Sequence, residues 1–207
     1  MERIVNDFQL NIATANGTGS QSANLILLHT MFSMGVPVSG KNLFPSNIAG
    51  LPTWYILRVS DRGYQAPGDR THIQIIMNKA TWDDDIENCL PGTLILFNED
   101  VKMPVDRDDC IVIGVPMTKM ARGLNPKLGR MISNMVYVGL LAEILELDQD
   151  KLNTAIAQQF KGKARAIELN LEAVNLGRAF INENVDTSEI PFRIEARDID
   201  DDVFLVE

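Results

Sequence analysis

Short apolar runs separated by turn residues fill the first 115 positions of the chain, and longer runs of helical period fill the rest. Residues 8–15 read as a first strand that runs into the turn Asn16, Gly17, Thr18, Gly19. Ser20 or Gln21 then opens a helix carrying Ala23, Leu27, Thr30, Met31 and Met34 at helical spacing, and Gly35 stops it. Further strands are predicted at 36–38, 55–59, 73–77, 94–97 and 110–115, each bounded by turn residues. Between them, residues 82–88 form a short helix capped near Thr81 and ended by the Pro91-Gly92 turn. The Pro116-Met117 step leads into helical material from Thr118.

The last third carries no β-like run. Asn125-Pro126 starts a long helix through Leu147, Asp148 caps a second over 149–160, and residues 163–182 make a third. Met131, Met135, Val138, Leu141 and Leu145 form one apolar stripe; Leu152, Ile156 and Phe160 form another. Such stripes are core packing far more often than a cofactor box. After Val185 the chain turns to Pro191, acidic residues and an extended V-F-L-V-E ending, which reads as a linker arm over 185–207 following a domain at 1–184. Alternation of strands and helices predicts an α/β fold: a Rossmann-like, mostly parallel sheet flanked by helices, with a helical C-terminal third.

Composition narrows the function. The 207 residues suffice for one well-buried domain, and 45% hydrophobic with 23% charged residues is ordinary for a globular protein. A formal net charge of -9 argues against nucleic-acid and anionic-membrane partners, although a local basic pocket can exist within it. Cys89 and Cys110 are too few and too far apart for a metal or iron-sulfur motif, and they imply free thiols in a reducing cytoplasm. No signal peptide or spanning segment is evident, since the apolar stretch 135–145 is broken by Gly139 and Glu143.

Two segments carry candidate chemistry. A strand, then Gly17-Thr18-Gly19, then a helix beginning at Ser20 is an anion-binding arrangement, because glycines admit a phosphate to unpaired amides at the positive end of a helix. It is not a dinucleotide fingerprint: Ser22 stands where a third glycine would, and the next strand ends in Ser39-Gly40-Lys41 rather than an acid. Lys41 reads equally as a phosphate-seeking cation and as a solvated lysine. The second segment is S-G-K-N-L-F-P-S-N-I-A-G-L-P-T-W-Y, residues 39–55, with Pro45, Pro52, Gly40, Gly50, Asn42 and Asn47 fixing a path for polar groups. On composition alone it is as much an ordered surface loop as a binding loop. His29 and His72 have no ligand-spaced partner and read as structural, and the aspartate clusters lack the spacing of a calcium loop. Lys161, Lys163 and Arg165 suit the preceding helix C-terminus, with phosphate or an acidic partner as the lesser reading. No residue stands as a self-sufficient catalytic group.

The glycine turn of residues 16–24, the 39–55 segment and A-I-E-L-N-L-E-A-V-N-L-G at 166–177 together resemble the gamma domain of 2-oxoacid:ferredoxin oxidoreductases. The form is that found at the N-terminus of the alpha subunit in two-subunit 2-oxoglutarate-type enzymes. Ala49-Gly50-Leu51-Pro52 stands where relatives of the pyruvate branch carry an Arg-Gly-Gly-type loop, which points away from that branch.

The resemblance implies a supporting domain in an enzyme that oxidatively decarboxylates a 2-oxoacid to an acyl-CoA and reduces ferredoxin. It implies coenzyme A contacts at Gly17, Thr18, Gly19, Ser20, Lys41 and Asn42, and an active-site loop of Asn47, Gly50, Leu51, Pro52 and Thr53. Thiamine diphosphate, magnesium and the iron-sulfur cluster would be held by other thiamine-binding alpha and beta parts, in keeping with the lack here of a G-D-G motif and cluster-type cysteines. Residues 203–207 resemble the point where relatives run on into a thiamine-binding domain, so the chain is expected to be a natural split subunit or an excised fragment, and the missing cofactor motifs imply that it is inactive in isolation. The rival reading, from the glycine turn and Lys41 alone, is a stand-alone nucleotide- or phosphometabolite-binding module.

Overall fold

The structure, a computed structural model, describes residues 3–15, 17–43 and 52–198. Its strands are β1 (Ile4–Val5), β2 (Asp7–Ala15), β3 (Val38–Leu43), β4 (Pro52–Ser60), β5 (Ile73–Ile76), β6 (Leu94–Asn98), β7 (Ile111–Val115) and β8 (Phe192–Arg193). Its helices are α1 (Ser20–Ser33), α2 (Trp82–Glu87), α3 (Met117–Leu124), α4 (Gly129–Ile144), α5 (Gln149–Gln159) and α6 (Ala164–Asn184). Six strands form the main sheet in the order β3-β4-β2-β5-β6-β7. β2, β5, β6 and β7 are parallel, and β4 alone runs against its neighbours. The expected mostly parallel α/β architecture and the helical last third are therefore both present. No helix among the described residues is long and apolar enough to cross a membrane.

Alternation assigns the two faces of the sheet. Leu10, Ile12, Leu57, Ile73, Ile75, Leu94 and Leu96 point to the face covered by α1 and the late helices, where the large core lies. Ile76 and Ile95 point the other way, into a smaller cluster with Trp82 of α2. All four residues of β5 are buried, as a strand covered on both faces requires.

Two boundaries differ from the sequence reading. The predicted strand at 36–38 begins at Val38 and runs on to Leu43, pairing antiparallel with β4 from Val38↔Val59 to Leu43↔Trp54. Residues 38–43 and 52–60 are thus the arms of a hairpin rather than parts of a free loop. Polar residues are tolerated there because β3 is an edge strand with one side open to water. The long helix predicted from Asn125 is the second departure. The Asn125 side chain accepts hydrogen bonds from the amides of Lys127 and Leu128, both at 3.1 Å, so it closes a turn and α4 begins at Gly129. Asp148 caps α5 as expected, its side chain accepting from Lys151 N at 2.9 Å.

The described part of the arm, 185–198, is fastened to the body. β8 pairs in parallel with β1, and Arg193, 6% exposed, donates to the carbonyls of Ile144, Ile190, Phe192 and Thr187 and to Glu146 Oε1. Residues 199–207, with the V-F-L-V-E ending, lie outside the described residues.

α4 is the centre of the helical layer, and it meets α6 backbone to backbone. A Cβ on Gly139 would lie 2.0 Å from Val174 O, and one on Gly177 would lie 2.2 Å from Val136 O. Neither backbone can yield without separating the helices. Gly177→Val is expected to lower unfolding free energy by about 3 kcal/mol, read from the urea midpoint; an unchanged midpoint would show that the contact is dispensable.

Asp85 offers a second test. It is 4% exposed, takes a hydrogen bond from Trp54 Nε1 at 2.8 Å, and leaves Oδ2 without a partner among the described residues. Burial pushes its carboxyl up to about 6. The group favours folding while protonated, so its contribution is full below about pH 4 and is lost as pH rises through about 6. In Asp85→Asn, which keeps an acceptor for Trp54, stability should rise above pH 6 and its slope between pH 4 and 6 should flatten, by chemical denaturation across that window. The same slope in both proteins would place the titration elsewhere.

Candidate functional site

The carboxyl ends of β2, β5 and β6 open into a polar crevice of about 350 Å³. The topology makes this position. α1 leaves β2 over one face toward β3, whereas α2 leaves β5 over the other toward β6, so the two connections part at the β2–β5 boundary. Ligands of open α/β sheets settle where connections diverge in this way.

Each side of the crevice is fixed by local chemistry. Gly17 at φ 79° and Gly19 at φ 83° occupy the left-handed region, which lets β2 turn sharply into α1. The Thr18 hydroxyl donates to Ala15 O at 2.7 Å. Asn134 of α4, 2% exposed, donates to Thr18 O at 2.7 Å and so ties the turn to the helical layer. Tyr137, one turn further along α4, donates to Asn24 Oδ1 of α1 at 2.7 Å. α1 has no side-chain cap and no acidic residue in its first turn, which leaves its amide end electropositive.

Opposite the turn stand Asn78 and Asn98, at the ends of β5 and β6, with Arg122 of α3 and Arg130 of α4. Asn98 donates to the Thr118 hydroxyl at 2.9 Å. The Nδ2 of Asn78 is buried and has no partner among the described residues. Arg122 and Arg130 form no ion pair with a described residue. Asp100 adds one carboxylate, already accepting from Lys119 N at 2.7 Å. Two guanidinium groups, an orphaned amide donor and one occupied carboxylate suit an oxygen-rich anion.

The residues singled out from sequence separate into groups. Thr18 lines the crevice, and Gly17 and Gly19 shape its turn. Ser20 is 6% exposed and accepts from the Thr14 hydroxyl at 2.9 Å, so its side chain braces the turn. Lys41 is exposed and pairs with Ile56, which pairs with Asn11, on the face opposite α1. Two strand spacings, roughly 10 Å, and the thickness of the sheet part it from the glycine turn, so the two are not brought together. Asn42 lies on the α1 face but at the level of Ile12, short of the strand end. Pro52 and Thr53 are strand residues opposite Ala15 and Thr14, and the Thr53 hydroxyl donates to Leu43 O at 3.2 Å within the hairpin. Asn16, Asn47, Gly50 and Leu51 lie outside the described residues. His72 is structural: Nδ1 accepts from Gln9 N at 3.1 Å, and burial lowers its basicity. No group of three His, Cys, Asp or Glu suited to a metal exists among the described residues.

Sequence reading missed Asn78, Asn98, Arg122, Arg130 and Asn134. Asn78 and Asn98 had a signal, since each is the polar residue that ends an apolar strand run. The two arginines and Asn134 sit on helices with nothing local to mark them.

Comparison with known proteins agrees with this architecture. The alpha subunit of 2-oxoacid:ferredoxin oxidoreductase 2 from Aeropyrum pernix is 25% identical over 86% of this chain, which spans 34% of that relative. The solved 2-oxoglutarate:ferredoxin oxidoreductase from Magnetococcus marinus, with 2-oxoglutarate, coenzyme A and succinyl-CoA bound, superposes with a TM-score of 0.83 at 23% identity, over 93% of this chain and 34% of that one. The keto/oxoacid ferredoxin oxidoreductase gamma subunit from Geobacter sulfurreducens gives a TM-score of 0.68 at 14% identity, over 82% of this chain and 95% of that one. The profile of the pyruvate ferredoxin/flavodoxin oxidoreductase family matches residues 9–180, most of the chain, and the protein belongs to that family.

Proposed function

We propose that this chain is the gamma domain of a 2-oxoacid:ferredoxin oxidoreductase of the 2-oxoglutarate type, and that its strand-end crevice holds phosphate groups of coenzyme A during oxidative decarboxylation to an acyl-CoA. Residues 1–184 form the domain, and the arm from 185, strapped down by Arg193, leads toward a thiamine-binding part. The observation that carries the reading is the crevice itself: Arg122, Arg130 and Asn78, whose buried amide nitrogen has no partner among the described residues, line it with Thr18 of the glycine turn in a protein whose net charge is -9. The bound coenzyme A of the Magnetococcus enzyme supports the choice of anion. Coenzyme A carries several phosphates, and an uncapped helix end with two guanidinium groups complements them.

Within this reading the domain supplies position and charge rather than bond-making groups. Thiamine diphosphate, magnesium and the iron-sulfur cluster belong to the partner parts, and electrons reach ferredoxin through them. Lys41 lies on the opposite face of the sheet from the glycine turn and is no part of this phosphate site.

The test uses the assembled enzyme. Arg122→Glu combined with Arg130→Glu should raise the KM for coenzyme A about tenfold or more, with the KM for 2-oxoglutarate and the unfolding temperature unchanged. Gly19→Val, forced to φ 83°, should raise the same KM. An unchanged KM for coenzyme A in both variants would place the coenzyme elsewhere. The chain alone, supplied with thiamine diphosphate and an electron acceptor, should show no turnover dependent on 2-oxoglutarate; acceptor reduction by the pure chain would overturn its assignment as a supporting domain.

A further inference from the structure

A second concavity, about 360 Å³, lies on the other side of the glycine turn, where the ends of α4, α5 and α6 meet the start of α1. Gly19 belongs to its wall, as Thr18 belongs to that of the polar crevice. Its character is the reverse: Leu128, Met131, Ile132, Met135, Phe160 and Leu169 make it almost wholly apolar. Leu128 is 42% exposed and Met131 53%, which places two of the five large exposed apolar side chains of the described residues at this one opening.

The polar groups it does hold are at its edge and floor. Arg165 lines it, exposed and without an ion pair among the described residues, and Lys161 and Lys163 precede it in the same unpaired state. Asn170, 6% exposed, donates through Nδ2 to Ala166 O at 2.7 Å, and its Oδ1 accepts no hydrogen bond from a described residue. Ser22 is already engaged, accepting from Gln159 Nε2 at 3.1 Å.

We infer that this cleft is a binding site for a small amphipathic anion, an aliphatic or aromatic carboxylate whose apolar body lies against the methionine and leucine wall and whose head meets Arg165. The volume falls within the range of small-molecule sites, and flexible methionine side chains suit an apolar occupant of variable shape. Charge complementarity selects the anion. A cationic cluster in a chain of net charge -9 would repel a basic ligand and orient an acidic one with its head outward. The site is separate from the polar crevice and does not depend on the proposal that coenzyme A binds there.

The experiment titrates the full chain with hexanoate, octanoate and decanoate, with decyltrimethylammonium as the cation of matched chain, following heat and the methyl resonances of Met131 and Met135. Affinity should rise about fourfold per added methylene, with the Met131 and Met135 signals shifting and the cation binding more weakly than decanoate. Arg165→Glu should weaken decanoate about tenfold or more. Met131→Glu, at an exposed position, should do the same by placing a charge in the apolar wall, and both variants should melt like the parent chain. Absence of saturable binding overturns the site, as would decanoate affinity untouched by both variants. Loss in Met131→Glu with none in Arg165→Glu also overturns it, since the surface would then be an apolar contact for protein rather than a carboxylate site.

Discussion

The contact between α4 and α6 at Gly139 and Gly177 is the constraint on which the rest of the molecule depends. Missing side chains let the two backbones touch, Gly139 against Val174 O and Gly177 against Val136 O. That closeness draws α4 into the centre of the helical layer, where residues on all its sides are buried. Once there, α4 sits directly beside the turn that follows β2. Asn134 can then bond to Thr18 and Tyr137 to Asn24, so the site's glycine turn is anchored by a helix more than a hundred residues away in sequence.

Charge is distributed to match. A net charge of -9 would make anion binding unfavourable over an even surface. Instead Arg122 and Arg130 line one crevice together with Thr18 of the glycine turn, and Lys161, Lys163 and Arg165 gather beside another. The Thr18–Gly19 peptide divides them, one residue lining each side. A single turn therefore separates a polar hollow from an apolar one, because β2 delivers the chain to a helix whose two flanks meet different neighbours.

The buried charged groups show how differently the fold treats them. Arg193 is surrounded by carbonyls and by Glu146, so each of its three guanidinium nitrogens has an acceptor and the arm is fixed. Asp85 has a single strong donor and an apolar neighbourhood, and its carboxyl is held near 6 by burial. The first is a clamp; the second is a tolerated cost of packing α2 under Trp54.

The sequence by itself determined the elements and their class, because apolar period and turn chemistry are local. The glycine turn, the first helix, the Asp148 cap and the succession of strands could all be read from neighbours a few residues apart. It also carried the family resemblance, in three motifs dispersed along the chain. What it could not determine was which of those motifs meet. Lys41 and the glycine turn looked like partners, yet the register of β3 on β4 on β2 puts Lys41 on the far face. Polar residues of 39–43 looked like loop, yet an edge strand satisfies their backbone while leaving their side chains in water. Arg122, Arg130 and Asn134 join the crevice only because long-range packing of α3, α4 and α6 carries them to the strand ends, and sequence spacing holds no record of that approach.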